Sequence, residues 1–218
     1  MNESDRDITA TPALGKKQLR EISRLTISDY NDRAQLFHEH THDHDVSQNI
    51  ESLLRNINSQ PPWQLLDFGC GPGRDLKSFK KLGHHIIGLD GSSNFCDMAR
   101  ELSGCEVWQQ DFLQLDLPDS YFDGIFANAT LFHIPRQELP RVLKDLYHSM
   151  KPGAVLLSSN PHGNNEEGWQ RQRYASLHKP QQWQEFMLAA GYTLLESYYR
   201  PASLPRAQQP WLATIWRK

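Results

Sequence analysis

An α/β fold, a doubly wound and mostly parallel sheet of seven strands preceded by a helical segment, is what the sequence predicts, and three observations carry it. From Trp63 onward short apolar runs alternate with amphipathic helical stretches. Strands separated by helices need crossover connections, which set the strands parallel with helices on both faces. The first of these runs, Leu65-Leu66-Asp67-Phe68, passes straight into the turn Gly69-Cys70-Gly71-Pro72-Gly73 and then into a helical pattern. The length of 218 residues, 38% of them hydrophobic, suits one domain. A chain of about 150 residues already buries roughly 68–70% of its unfolded surface, and single cores stop growing near 250–300 residues.

The elements follow in order. Residues 1–14 are polar, include Thr11-Pro12 and lack periodicity, so they read as a frayed arm. Over 15–60 the apolar positions Leu19, Ile22, Leu25, Ile27, Tyr30, Leu36, Phe37, Val46, Ile50, Leu53, Leu54 and Ile57 recur at helical spacing. They predict two or three helices, with a break in the histidine-rich stretch His38 to Asp45 and an end at Asn58 to Pro62. In the core region 63–218, strands are expected over Trp63 to Phe68, Ile86 to Leu89, Glu106 to Gln109, Phe122 to Ala127 and Ala154 to Ser158. Helices are expected over Arg74 to Leu82, Asn94 to Leu102, Gln137 to Met150 and Pro180 to Ala190. Tyr192 to Tyr199 and Trp211 to Trp216 read as two final strands, antiparallel because no long helix separates them.

Charge and cysteine content weigh against several classes. With 23 Lys+Arg against 26 Asp+Glu the formal charge is -3, so the chain offers no basic field for nucleic acid or an anionic membrane. Cys70, Cys96 and Cys105 are an odd, sparse set without C-x-x-C spacing, against both a disulfide framework and a structural zinc. The start Met1-Asn2-Glu3-Ser4-Asp5 is acidic where a signal peptide would be basic and then apolar, and no window reaches the roughly 18 apolar residues of a membrane helix. The expectation is a soluble, cytoplasmic monomer or homodimer that acts on a small molecule, with no nucleic-acid or membrane partner.

The glycine turn sits where a ligand can lie against main-chain N–H groups at a helix N-terminus. The next strand ends at Asp90, 23 residues after Asp67, where nucleotide-binding units place an acceptor for ribose hydroxyls. A dinucleotide fingerprint would need glycine at position 74, which is Arg74. The pattern is instead Asp67-x-Gly69-x-Gly71-x-Gly73, and with it the chain resembles a class I S-adenosylmethionine-dependent methyltransferase of Rossmann-like fold. The resemblance covers most of residues 63–160, including Gln110-Asp111-Phe112, Asp123 to Asn128 and Leu143 to Leu157.

The resemblance implies S-adenosylmethionine as cofactor and S-adenosylhomocysteine as product, and it assigns roles. Asp67 would order the loop and reach toward the methionine ammonium, with Gly69, Gly71 and Gly73 leaving room for the ligand. Cys70 and Arg74 belong to the same loop. Asp90, followed by Gly91 and Ser92, would hold the ribose; Asp111 would take the adenine amino group beside Phe112; and Asn128 and Ala129 complete the cofactor contacts. Simpler readings stay open: Asp67 capping its turn, Asp90 capping the helix that starts near Ser92, Asp111 an ordinary loop residue.

On the acceptor side Asn128 to Pro135 lacks the Asn-Pro-Pro-Tyr/Phe motif of enzymes that methylate amino groups of nucleic acids or glutamines, and resembles the Leu-Phe-His stretch of small-molecule methyltransferases. His133 is then a base, a polar orienter, or a histidine packed behind the cofactor; His162 is a second candidate base. Asn160 to Trp169 reads as a substrate-binding loop or a solvated one, with Asn160, Arg173 and Tyr174 as candidate substrate contacts. In this family an N-terminal helical segment often forms a lid, which makes Tyr30, Phe37, His44 and Gln48 candidates to cover the site. On a helix His38/His42 and His40/His44 fall on different faces, while a strand would put all four together. Without a cysteine or clear supporting groups they read as a polar helix end, so no metal is expected and only His44 and Asp45 should turn toward the site. Gly73-Arg74-Asp75 resembles thiol and chalcogen methyltransferases and the methyltransferase domain of ovothiol synthases, pointing to small sulfur or amino-acid acceptors. The expected activity is methyl transfer to a small-molecule N, S or O acceptor. The alternatives are a methyltransferase acting on protein or RNA, a non-catalytic S-adenosylmethionine-binding module, and a nicotinamide oxidoreductase, which Arg74 disfavours.

Overall fold

The structure is a computed structural model that describes residues 13–218; residues 1–12, most of the expected arm, lie outside the described residues. Three helices lead, α1 (Lys16–Asp32), α2 (Ala34–Thr41) and α3 (Ser47–Arg55), and the non-helical link between the last two falls inside the histidine stretch. They are followed by β1 (Gln64–Phe68), α4 (Arg74–Lys81), β2 (His85–Asp90), α5 (Ser93–Ser103), β3 (Glu106–Gln109), β4 (Phe122–Asn128), α6 (Leu139–Ser149) and β5 (Met150–Pro161). A hairpin of β6 (Glu166–Gln170) and β7 (Arg173–Leu177) precedes α7 (Pro180–Ala189), β8 (Thr193–Arg200) and β9 (Trp211–Arg217).

Seven strands make one sheet in the order β3-β2-β1-β4-β5-β9-β8. The strands from β1 to β5 pair parallel, and β9 is antiparallel to both β5 and β8, so the last strand alone runs against the rest. Because β1 has β2 on one side and β4 on the other, the chain leaves the carboxyl ends of β1 and β4 in opposite directions and opens a crevice between them. Successive side chains of β1 enter opposite layers, as strand pleating requires. Leu65 joins Leu53 of α3, Leu76 and Phe79 of α4 and Ala99 of α5; Leu66 joins Val142 and Leu143 of α6 and Trp183 and Met187 of α7. Among the described residues no helix is long and apolar enough to cross a membrane.

One segment departs from the sequence reading. Asn160 to Trp169, expected as a loop, contains the end of β5 and most of β6, which pairs antiparallel with β7 from Glu166↔Leu177 to Gln170↔Arg173. The two-residue turn is Arg171-Gln172, with Arg171 at φ 60°, and it carries none of the Asn-Gly or Gly signals that mark hairpins in a sequence. Tertiary contact specifies it instead: Tyr174, Ala175 and Ser176 are buried, and the Tyr174 N–H donates to Thr26 Oγ1 of α1 at 3.1 Å.

Between β5, β9 and α7 lies a buried polar hub. Thr214 Oγ1 accepts from the indole N–H of Trp183 at 3.2 Å and of Trp216 at 2.7 Å, and it meets Ser158 Oγ at 2.8 Å. With both lone pairs engaged, the Thr214 hydroxyl donates to Ser158. Thr214→Val, nearly the same shape, should leave three buried groups unpaired and cost about 2–5 kcal/mol. At about 2–4 °C per kcal/mol for a domain of this size, the calorimetric melting temperature should fall by roughly 5–15 °C. Thr214→Ser, which keeps the oxygen, should lose less than half as much; equal losses would show that packing and not the hydrogen bonds dominates.

Candidate active site

The glycine turn is bolted to the sheet before any ligand arrives. Gly69 N–H and Cys70 N–H both donate to the Leu89 carbonyl of β2, at 2.7 and 3.1 Å. The three glycines serve different ends. A Cβ on Gly69 would stand 2.2 Å from Thr130 Oγ1 and one on Gly73 2.7 Å from the Ala99 Cα, so these two let the turn press against the segment after β4 and against α5. Gly71 faces open space, with only Phe37 Cε1 at 3.9 Å. Gly73 does not line the cavity described below, which corrects the expectation that all three leave room for a ligand.

Asp90 binds the turn from the side. Its Oδ2 accepts from Gly71 N–H at 3.0 Å and its Oδ1 from Ser92 N–H at 2.9 Å. The N-cap of α5 is Ser92, whose hydroxyl accepts from Phe95 N–H at 3.1 Å, so capping that helix is not the task of Asp90. Burial raises the Asp90 carboxyl to about 6, while the surrounding backbone N–H groups act to lower it. Asp67 is buried behind the turn and does not line the cavity, so it meets no ligand there directly; burial first, then the charge of Asp75, pushes its carboxyl well above the usual range, and its Oδ2 has no partner.

Helices α1 and α2 close over this floor. Asn31 near the end of α1 accepts through its side-chain oxygen from Ser92 Oγ and from Asn94 N–H at 3.2 Å, and its carbonyl accepts from Asn94 Nδ2 at 2.9 Å. Ile27 lies so close to Gly91 that a Cβ there would come within 2.9 Å of its Cδ1. Arg74, held by Asp75 through paired contacts of 2.7 and 2.8 Å, donates from Nη1 to the Thr41 carbonyl at 2.9 Å and so ties the glycine-turn helix to α2. The result is a cavity of about 710 Å³, well inside the range of small-molecule sites. Cys70, Arg74, Asp90, Gly91, Ser92, Asp111, Phe112, Asn128 and Ala129 line it together with Tyr30, His44, His133 and Arg173.

The far end of the cavity is built on the turn after β4. Ala129 adopts φ 63° there, a left-handed conformation that costs a residue with a Cβ about 1–2 kcal/mol, with its N–H on the Ser159 carbonyl at 2.8 Å. His133 Nδ1 lies 2.8 Å from the Tyr174 carbonyl. A carbonyl only accepts, so Nδ1 carries the proton and Nε2 accepts from the Tyr30 hydroxyl at 2.7 Å. Arg173 covers the Tyr30 ring at 4.0 Å and pairs with Asp29 at 2.6 Å. Asn128 Oδ1 accepts from Asn49 Nδ2 at 2.9 Å, and Asn49 accepts in turn from Tyr198.

Four expected contacts fall elsewhere. His162 faces Tyr199 and Arg206, with Nε2 3.2 Å from the Gln209 carbonyl, and lies outside the cavity, as does Asn160. Tyr174 contributes its backbone while its ring turns toward Trp169. Gln48 does not line the cavity, and its neighbour Asn49 holds Asn128. The histidine tract differs too: His38 and His42 line the cavity beside His44 and Asp45, and among the described residues no group of three His, Cys, Asp or Glu has the arrangement of a metal site. Asn31, Asn49, Thr130, Arg200 and Trp211 were not singled out from the sequence, since single polar or aromatic residues in no motif give no signal.

Residues 65–153 match a family described as methyltransferase domain. Phosphoethanolamine N-methyltransferase 1 of Zea mays is 30% identical over 159 residues, covering 67% of this chain and 31% of that protein. Malonyl-[acyl-carrier protein] O-methyltransferase of Serratia marcescens is 33% identical over 110 residues, covering 50% and 42%. The chain spans about a third of the length of the plant relatives it matches. Among solved structures, the Burkholderia thailandensis 1,6-didemethyltoxoflavin-N1-methyltransferase with bound 1,6-didemethyltoxoflavin and S-adenosylhomocysteine superposes with a TM-score of 0.77 at 20% identity, over 96% of this chain and 92% of that one. That likeness is one of fold.

Burial, and to a lesser degree the charge of Arg173, lowers the His133 imidazole from 6.5 to about 4 in spite of its bond to the Tyr174 carbonyl. Its ring should therefore stay neutral, with the proton on Nδ1, from pH 8 down to pH 5, and take a second proton only as pH falls toward 4. Nitrogen chemical shifts of the histidine side chains would show this, and a midpoint near 6.5 would mean that water reaches the ring.

Proposed function

We propose that this chain, which belongs to the class I family of S-adenosylmethionine-dependent methyltransferases, binds S-adenosylmethionine on the glycine turn and Asp90 and transfers its methyl group to a small-molecule acceptor. The observation that carries the reading is the continuity of one roofed cavity from the Asp90 carboxylate to the Tyr30–His133 pair. A roof made by α1 and α2 admits a metabolite more readily than a folded protein or an RNA.

The residues present suit the donor. Each Asp90 oxygen has one backbone N–H and keeps a second lone pair for a ribose hydroxyl. Gly71 leaves its face open, Phe112 offers an apolar surface backed by Phe68 at 4.6 Å, and Asp111 lies at the same end. The unpartnered Oδ2 of Asp67 beneath the turn favours a cation nearby, which would restore its charge. When bound, the donor supplies a methyl carbon activated by positively charged sulfur. Closing the site excludes water from a displacement in which charge is dispersed, and holding the reactants in near-attack geometry lowers a barrier by about 7–11 kcal/mol.

His133 is a weak base whose Nε2 already accepts from Tyr30, so it orients the Tyr30 hydroxyl rather than stripping a proton from an ammonium. The acceptor then arrives with a lone pair already available at neutral pH, as an ionised thiol or acid or a ring nitrogen does. His162, outside the cavity, takes no part in this reading.

Calorimetry should show binding of S-adenosylhomocysteine and none of NAD; the reverse would overturn the reading. Asp90→Asn should weaken that binding by about ten- to a hundredfold, the worth of a hydrogen bond to a charged group. Ribose hydroxyls donate to the ionised carboxylate, so affinity should fall as pH drops through about 6, with proton release on binding near pH 6 seen by comparing buffers of different ionisation enthalpy. Once an acceptor is found by mass increase in a metabolite screen, Tyr30→Phe and His133→Gln should each lower kcat by no more than about tenfold. Loss of a true general base costs about 10²–10⁴.

A further inference from the structure

Arg200 ends β8 and stands opposite Trp211 of β9, and both line the cavity on the acceptor side. The other arginines facing the cavity form ion pairs, Arg74 with Asp75 and Arg173 with Asp29, a carboxylate that Arg33 shares. Among the described residues Arg200 forms no ion pair. Its Nη2 donates to the Asp45 backbone carbonyl at 2.7 Å, while its Nε is buried without a partner. The Asp45 carboxylate accepts from Ser47 N–H at 2.9 Å through Oδ1, and that bond, with a smaller contribution from the charge of Arg200, holds it below its usual range, although the two side chains form no ion pair. His38, His42 and His44 line the same cavity. Beside the guanidinium, Phe132 and Trp211 stand edge to face at 6.3 Å and form an apolar corner.

Only Nη2 of the part-buried Arg200 guanidinium is hydrogen-bonded within the protein, and a guanidinium presents its donors in the planar fork that suits oxyanions. Building on the methyl-transfer reading above, we infer that the methyl acceptor carries an anionic oxygen group, a carboxylate or a phosphate, which Arg200 receives while an apolar or aromatic body fills the Phe132–Trp211 corner. The anion fixes which atom of the acceptor faces Tyr30, and it does so without a catalytic base.

The test uses benzoate, phenyl phosphate and the neutral benzamide as probes, titrated into the full chain with and without saturating S-adenosylhomocysteine. At least one acid should bind about ten- to a hundredfold more tightly than benzamide, and the tighter acid names the group. Arg200→Gln should abolish the preference while leaving S-adenosylhomocysteine affinity unchanged; Arg200→Lys, which keeps the charge but not the fork, should retain a reduced one and serves if the glutamine variant does not fold. Benzamide binding as tightly as the acids, no saturable binding of either acid, or a preference that survives Arg200→Gln would overturn the inference. Failure of S-adenosylhomocysteine to bind would instead overturn the donor reading, and the acid preference would still be read from the titrations without it.

Discussion

Asp90 carries two backbone N–H groups on one buried carboxylate, Gly71 from the turn and Ser92 from the start of α5. Each of those partners fixes something else. Gly71 sits in a turn already bound to β2 through the Leu89 carbonyl, and Ser92 both caps α5 and donates to Asn31 of α1. A single ion therefore sets the distance between turn, helix and roof. Its charge is held at a cost, since burial works against ionisation, and that tension is what makes the carboxylate responsive to hydroxyl donors.

The roof follows from the same arrangement. Helix α1 packs little of its surface into the two core layers; its buried side chains Ile22, Thr26 and Asp29 face the cavity wall and the β6–β7 hairpin. It is secured by polar ties to α5, by Ile27 over Gly91, and by aromatic contacts of Tyr30 with Phe37 and Phe95 at 5.7 and 5.6 Å. Helix α2 hangs on Arg74 through the Thr41 carbonyl. Such ties are few and lie around the cavity rather than in the main core, the pattern expected of a segment that opens at lower free energy than the sheet.

The acceptor end is organised by what it lacks in basicity. His133 is locked between a carbonyl and a phenol, and burial keeps it neutral, so the polar groups here orient and the cations select. Arg173, paired with an Asp29 that Arg33 shares, stiffens Tyr30, whereas only Nη2 of Arg200 is hydrogen-bonded.

The sequence by itself determined the sheet. Apolar runs and helical periods located all seven of its strands: the central ones are buried on both faces and leave continuous apolar runs, while the edge strands β3 and β8, only partly buried, are short runs set between helix and turn signals. It also placed the glycine turn and Asp90 at the carboxyl edge, since an alternating-glycine turn between strand and helix has a local cause. What the tertiary structure decided is which of two neighbours faces the cavity. Ser159 and not Asn160 on β5, Arg173 and not Tyr174 on β7, and Asn49 rather than Gln48 as the polar anchor on α3 all differ by one position. On a strand one residue reverses the face, and on a helix it turns the side chain through about 100°. Those choices depend on partners far away in sequence, 79 residues for Asn49 and Asn128 and more than a hundred for the hairpin held by Thr26 and for Arg200 on Asp45, and no local pattern records them.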